Sequence, residues 1–240
     1  MFSSHFAIFD AVKRSIPNIL TLLNLFLGSS AILLLFSEEI LWVLIFAALC
    51  YLLDVLDGTL ARAMRVSSPL GVQLDSLADL VSFGVLPACV LAYLWSGWCA
   101  GAYPLTLMVF VYTVAVGLRL AKFNLDTRDH HHFYGLPSPS GALVLFGLLA
   151  MTHLDHPWLR DFQCAHVLFA GLIVLLSTLM LSNLKLWSLK GLGRPRGAVI
   201  LGGYCIIFAI LVLITGMAAF PLMVIVYVLS GLLNLLIKIY

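Results

Sequence analysis

Residues 40–79 read ILWVLIFAALCYLLDVLDGTLARAMRVSSPLGVQLDSLAD. The segment opens as an apolar run and closes on Asp54, Asp57, Asp75 and Asp79, four of the eleven acidic residues in the chain. A helix needs about 20 predominantly apolar residues to cross a bilayer, and a span at 40–60 reaches that length by taking in Asp54 and Asp57 near its end. Ser67, Ser68 and Pro69 then supply a polar turn, and a second apolar run leaves it from Gly71 onward. Two membrane helices joined at one surface follow from this pattern, with the carboxylates placed where both helices reach that surface.

Composition extends the pattern to the whole chain. Of 240 residues, 62% are hydrophobic and 10% charged, whereas soluble domains are about half apolar and a quarter charged. The fold class expected is therefore all-α, a polytopic membrane helix bundle forming a single domain over 1–240. About eight transmembrane helices are expected, at 17–36, 40–60, 71–96, 104–123, 139–154, 162–183, 197–216 and 218–237. The N-terminal MFSSHFAIFDAVKRS lacks the apolar core and cleavage site of a removable signal. Phe2, Phe6, Phe9 and Val12 fall at helical spacing, predicting a short amphipathic surface helix over 1–15 ahead of the bundle at 17–237. The five cysteines are scattered with no CxxC, so free thiols are expected, with neither a zinc site nor a disulfide framework.

Eight spans put both termini on one side, and the basic residues sort accordingly. Twelve of the thirteen Lys and Arg fall on the terminal side or in helix ends facing it, and only Arg160 falls opposite. Positive charge marks the cytoplasmic side. Both termini and the turn between Asp57 and Asp75 are thus expected in the cytoplasm, with the chain in the cytoplasmic (inner) membrane. The opposite loops SEE (37–39), WSGWCAGAY (95–103) and HPWLRD (156–161) include tryptophans suited to an interface.

Asp54 and Asp57, three residues apart, lie about 60° from each other around a helix. Asp75 and Asp79, four apart, also share a face. An aspartate at a helix centre opposes insertion by about 2.5–3.5 kcal/mol, and less near the ends. Helix ends in the headgroup zone account for one or two such acids, but poorly for two pairs on successive helices. Arg62 can pair with one of them and not with four. Divalent cations answer the remaining charge, and an all-oxygen donor set favours Mg²⁺ or Mn²⁺ over Zn²⁺ or Cu²⁺. Two such ions held by shared carboxylates form a clamp used on phosphoryl groups. A divalent-cation transporter is the rival use of membrane acids. It calls for acidic or polar residues continuing through the bilayer, and no acid follows Asp161.

Other residues leave two roles open. Gly58 and Gly71 could end or bend a helix, or let a nucleotide or phosphate approach closely, a role that the small Ala61 could share. Thr21 and Asn24 continue one face of the first span toward the acids, for interhelical hydrogen bonds or for nucleotide contact. Arg119, Lys122 and Asn124 end the fourth span, where snorkelling to headgroups is the ordinary role of cations. GLPSPSG (135–141) is a polar re-entry suited to a pocket or to a helix start. His130, His131 and His132 read as a solvated loop.

The spacing D-x2-D-G-x2-A-R-x8-G-x3-D-x3-D is met at Asp54, Asp57, Gly58, Ala61, Arg62, Gly71, Asp75 and Asp79. It resembles the signature of the CDP-alcohol phosphatidyltransferases. PNILTLLNLFLG (17–28), DSLADLVSFGVLPA (75–88), RLAKFN (119–124), FYGLPSPSGA (133–142) and LMLSNLKLWSLK (179–190) are similar to the membrane-embedded phosphatidylserine synthase branch. The likeness runs from about residue 16 to 190, and the last two spans carry no matching motif. RLARFN is the more usual form within the branch; Lys122 keeps the charge of that arginine but not its bidentate geometry.

The resemblance implies transfer of the phosphatidyl group of CDP-diacylglycerol to L-serine, giving phosphatidylserine and CMP. The same chemistry on glycerol phosphate, inositol phosphate or choline is the alternative. It further implies that Asp54, Asp57 and Asp75 ligate two divalent cations, and that Asp79 is both a metal-site residue and the general base. Gly58, Ala61, Arg62, Gly71, Thr21 and Asn24 would face the CDP moiety. Arg119 or Lys122 would hold the carboxylate of serine, with Asn124, Ser82 and Ser138 as lesser hydrogen-bonding candidates. Membrane lipids and a second copy of the chain, in a homodimer, are the other expected partners; no nucleic acid is.

Overall fold

The computed structural model describes residues 2–64, 66, 68–98, 107–125, 133–156, 166–186 and 195–237, and side-chain environments within these except at 2–14, 98, 133–134, 166, 185–186, 195–200 and 234–237. The helices are α1 (Phe2–Phe36), α2 (Ile40–Met64), α3 (Pro69–Leu80), α4 (Leu86–Trp98), α5 (Phe110–Leu125), α6 (Ser138–His153), α7 (His166–Leu181), α8 (Pro195–Thr215) and α9 (Ala219–Ile237). Apart from the start of α1, their ends lie within about six residues of those of the expected spans, α3 and α4 sharing the third. Among the described residues, five apolar stretches are long enough to cross a membrane, and α6 and α7 are shorter. The last of the five, Leu201–Leu233, is a hairpin. Gly216, at φ +58, turns the chain between α8 and α9. Phe208 then meets Phe220 at 5.4 Å, and the hydroxyls of Tyr204 and Ser230 pair.

The separate surface helix expected over 1–15 is not a separate element. α1 continues from Phe2 through Pro17 into the first span. Membrane helices tolerate proline where neighbouring groups satisfy the freed backbone. The faces of Phe2, Phe6, Phe9 and Val12 lie outside the described side chains.

By packing, the chain groups into two compact units, Met1–Cys89 and Val90–Tyr240, the division falling inside α4. In the first unit α1 and α2 form an antiparallel hairpin. Among the described side chains of α1 the buried positions are Pro17, Thr21, Asn24, Gly28, Ala31 and Leu35; on α2 they are Ile40, Val43, Ala47, Cys50, Leu53 and Asp57. Steps of four and three give a seam close to the 3.5-residue period of knobs-into-holes packing. Gly28, Ala31 and Ala47 let the backbones approach, which is how membrane helices associate when lipid is as apolar as leucine. The seam is apolar at the turn and polar at its open end, where Thr21 and Asp57 sit. The turn itself is a Schellman motif: Glu38, at φ 60, donates its N–H to Leu35 O at 3.1 Å, and Glu39 donates to Leu34 O at 3.0 Å.

α3 starts on a capped turn. Ser68 accepts the N–H of Gly71 at 2.9 Å, and Pro69 occupies the first helical turn, where its missing N–H costs nothing. A π-helical turn, Val81–Val85, joins α3 to α4 and buries Ser82, Phe83 and Gly84.

In the second unit α5 packs on α7, and α6 on α9. Tyr112, Leu145, Leu149, Ile173 and Met180 are buried there, and Trp95 stacks on Phe169 at 5.5 Å. A short antiparallel ladder pairs β1 (Phe133–Tyr134) with β2 (Lys185–Leu186), Phe133 opposite Leu186. Outward faces carry large apolar side chains such as Leu33, Val167 and Leu213, 70%, 83% and 86% exposed. Apolar outward faces of this kind suit lipid and not water.

Candidate active site

The α1–α2–α3 packing brings three of the four aspartates together. One carboxylate oxygen from each of Asp54, Asp57 and Asp75 lies within 4.8 Å of the others. Asp57 is buried and Asp54 half-buried. Asp79, one turn beyond Asp75 and 9% exposed, stands outside the trio but within hydrogen-bonding reach of Asp54. Thr21 Oγ1 donates to Asp57 Oδ2 at 2.6 Å, with the Pro17 carbonyl at 3.0 Å as the competing acceptor. A hydrogen bond to a carboxylate is about twice as strong as a neutral one, so Thr21 fixes the Asp57 side chain.

A cavity of about 390 Å³ opens beside the acids, lined by Asp57 and Asp75 together with the expected Thr21, Gly58, Ala61, Arg62 and Gly71. Pro17, Asn18, Val66, Ser68 and Val72 complete the wall; none of these was among the expected site residues. Asn18 was findable, because it precedes Thr21 by one helical step of three. Ser68 was too, as the N-cap before a proline. Val66 and Val72 carry no polar signal.

The two motif glycines differ in what requires them. A Cβ on Gly71 would stand 3.0 Å from Asn18 Oδ1 and 3.1 Å from Ser68 Oγ, so the protein itself crowds that position. A Cβ on Gly58 would meet only Arg62, with Nη1 at 3.5 Å, an ordinary contact. The protein leaves room at Gly58, on the cavity wall, for something else.

Other expected residues are placed differently. Asn24 and Ser82 are 1% and 0% exposed and are not on the cavity wall. Ser82 Oγ donates to Asn24 Oδ1 at 2.8 Å, so of the two roles open to Asn24 the interhelical bond is the one formed. In the second unit Arg119 Nη1 donates to Ser138 Oγ at 3.0 Å, which joins two of the serine-site candidates. Lys122 and Asn124 are exposed on the last turn of α5. His130, His131 and His132 lie outside the described residues.

Three carboxylates converging on one point, with oxygen donors only, fit a hard divalent cation. Without one they repel, at a separation and burial where screening by water is weak.

A family model described as CDP-alcohol phosphatidyltransferase matches residues 14–236, as the signature spacing led us to expect. Among similar proteins is a CDP-diacylglycerol–serine O-phosphatidyltransferase of Helicobacter pylori (strain J99), 33% identical over 183 residues, 72% of this chain and 75% of that protein. One of the same name from Methanocaldococcus jannaschii is 32% identical over 171 residues, 71% of this chain and 73% of that protein. Another, from Bacillus subtilis, is 34% identical over 142 residues, 58% of this chain and 76% of that protein.

Proposed function

The chain belongs to the CDP-alcohol phosphatidyltransferase family, and from that premise we propose that it transfers the phosphatidyl group of CDP-diacylglycerol to L-serine, releasing CMP. The observation that carries this is the meeting of Asp54, Asp57 and Asp75 at a cavity also lined by Gly58, Ala61, Arg62 and Gly71. Serine as acceptor is supported by the names of the relatives above. The family assignment also displaces the cation-pathway alternative.

Asp54, Asp57 and Asp75 fit two divalent cations, Mg²⁺ or Mn²⁺, whose charge when bound would offset that of the pyrophosphate and of departing CMP. Arg62 adds a positive charge at the same wall. The serine hydroxyl attacks the β-phosphorus, and its proton passes to Asp79. The new P–O bond forms as the bond to the bridging oxygen breaks, and the electron pair leaves with CMP. Arg119 and Lys122 are assigned to the carboxylate of serine, Arg119 with its guanidinium held by Ser138, and Asn124 to a hydrogen bond. Cytoplasmic orientation in the inner membrane and pairing as a homodimer belong to the same proposal; the distribution of Lys and Arg supports the first.

Membranes containing the protein, supplied with CDP-diacylglycerol and one alcohol at a time, test this by CMP release. Release is expected with serine, to depend on Mg²⁺ or Mn²⁺, and to fall to a small but measurable residual rate in Asp79→Asn. Release with glycerol phosphate but not serine would assign a different acceptor, and metal uptake without CMP would revive the transporter.

Gly58→Ala separates fold from binding. Alanine is favoured over glycine in a helix interior by about 1 kcal/mol, and the protein accommodates the added methyl. Thermal unfolding in detergent is expected at an unchanged or higher temperature. The KM for CDP-diacylglycerol should rise about tenfold, because the methyl enters space reserved for the nucleotide. A variant with lowered stability and unaltered KM would make Gly58 a packing residue.

A further inference from the structure

α1 carries no acid between Ser15 and Phe36, yet it grips both helices that do. Thr21 holds Asp57 of α2. One turn on, Asn24 holds Ser82, which lies three residues after Asp79 on the other acidic helix. The bond runs from Ser82 Oγ to Asn24 Oδ1 at 2.8 Å, with the Asn24 carbonyl 3.3 Å away. Both side chains are sealed from solvent, at 0% and 1% exposed, so neither is offered to a substrate.

Gly28, a further turn along α1, forms the seat. A Cβ there would stand 2.4 Å from Ser82 Oγ and 3.2 Å from Ser82 Cα, so only glycine lets this turn lie against α1. α2 closes the other side. Cys50 Sγ donates to the Asn24 carbonyl at 3.5 Å, and Tyr51 packs on Phe83 with ring centroids 4.8 Å apart. Ser82 lies in the π-helical turn Val81–Val85. Such a turn inserts one residue and thereby rotates the helix before it by about 100° relative to the helix after it. The direction in which Asp79 points therefore depends on where this turn is pinned.

We propose that the Asn24–Ser82 hydrogen bond, seated in the Gly28 notch, is the positioning device for Asp79, so that Asn24 and Ser82 act through that aspartate and not on nucleotide or serine. The proposal rests on the assignment of Asp79 as general base. A catalytic group displaced by on the order of 1 Å costs about a hundredfold in rate, and loss of one anchor allows part of that displacement.

Purified protein in mixed micelles tests it, by kcat and by KM for each substrate. Ser82→Ala and Gly28→Ala are each expected to lower kcat about tenfold, with both KM values within about twofold of wild type. Gly28→Ala keeps both polar groups and disturbs only their seat, so it checks the geometry independently. CDP-diacylglycerol should still raise the unfolding temperature of both variants, and Ser82→Cys, which keeps a donor of similar size, should retain most of the wild-type kcat. In an Asp79→Asn background Ser82→Ala should cost nothing further, because a residue acting through Asp79 has nothing left to position. A raised serine KM with unchanged kcat in Ser82→Ala, or a cost that persists in the Asp79→Asn background, would overturn the proposal. Full activity of Asp79→Asn alone would remove the base assignment itself, and the proposal with it.

Discussion

Asp75→Asn is expected to lower CMP release at least about a hundredfold, the scale of removing an electrostatic contribution to phosphoryl transfer, while the protein stays folded. The amide keeps the shape of the carboxylate and removes its charge. Asp75 is a clearer member of the trio to change than Asp57, which is also tied to Thr21. Carboxylates with oxygens within 4.8 Å repel by about 3 kcal/mol per pair at an effective dielectric constant near 20. Cation-free Asp75→Asn should therefore unfold at the same or a higher temperature than cation-free wild type. Added Mn²⁺ should stabilise wild type by mass action, and the variant much less. Thermal unfolding in detergent, with and without Mn²⁺, measures this alongside CMP release. An undiminished Mn²⁺ stabilisation in the variant would take Asp75 out of the metal site.

The comparison of sequence with structure turns on which interactions leave a local trace. Helix positions were legible because long apolar runs broken by SEE or SSPLG need no tertiary information. The continuity of α1 through Pro17 was not, because a proline signals a helix start or a tolerated interior position equally well in a membrane. The acids were legible as two pairs, since steps of three and four put side chains on one face. Their division into a trio and an outlier was implied by the family resemblance and not by helical spacing. Where Asp79 points depends on the π-helical turn after it, and an inserted residue of that kind has no sequence signature. Asn24 and Ser82 show the same limit: a polar group on a membrane helix reads alike as a ligand contact or as an interhelical bond, and here the partner is 58 residues away. The two packing units were hidden for a related reason. An apolar face says that a helix has neighbours, but not which.

Gly135→Ala is expected to destabilise the protein by about 3 kcal/mol or more, the sum of a strained backbone and an overpacked contact. Gly135 has φ +75, in the left-handed region where a side chain meets its own backbone. A Cβ there would also stand 2.4 Å from the Met180 carbonyl oxygen, 2.9 Å from that of Ser182 and 3.1 Å from that of Leu179. These are backbone atoms at the end of α7, and they cannot swing aside as a side chain could. The close approach has a purpose: the N–H of Gly135 donates to Leu184 O and that of Leu136 to Leu179 O, each at 2.9 Å. The turn thus gives the Leu179 carbonyl, in the last turn of α7, a backbone donor beside the Ser182 hydroxyl that it also accepts at 2.8 Å. Gly171, in α7, is the control, since a Cβ there meets nothing within 4 Å, and Gly171→Ala should be neutral or slightly stabilising. For a chain of this length the difference amounts to a fall of about 10 °C in the unfolding temperature of Gly135→Ala relative to Gly171→Ala. The same variant should disturb Arg119, because Ser138, three residues on, receives its hydrogen bond. Equal unfolding temperatures for the two variants would mean that the turn can leave α7 without cost, and the ladder between β1 and β2 would then be incidental to the second unit.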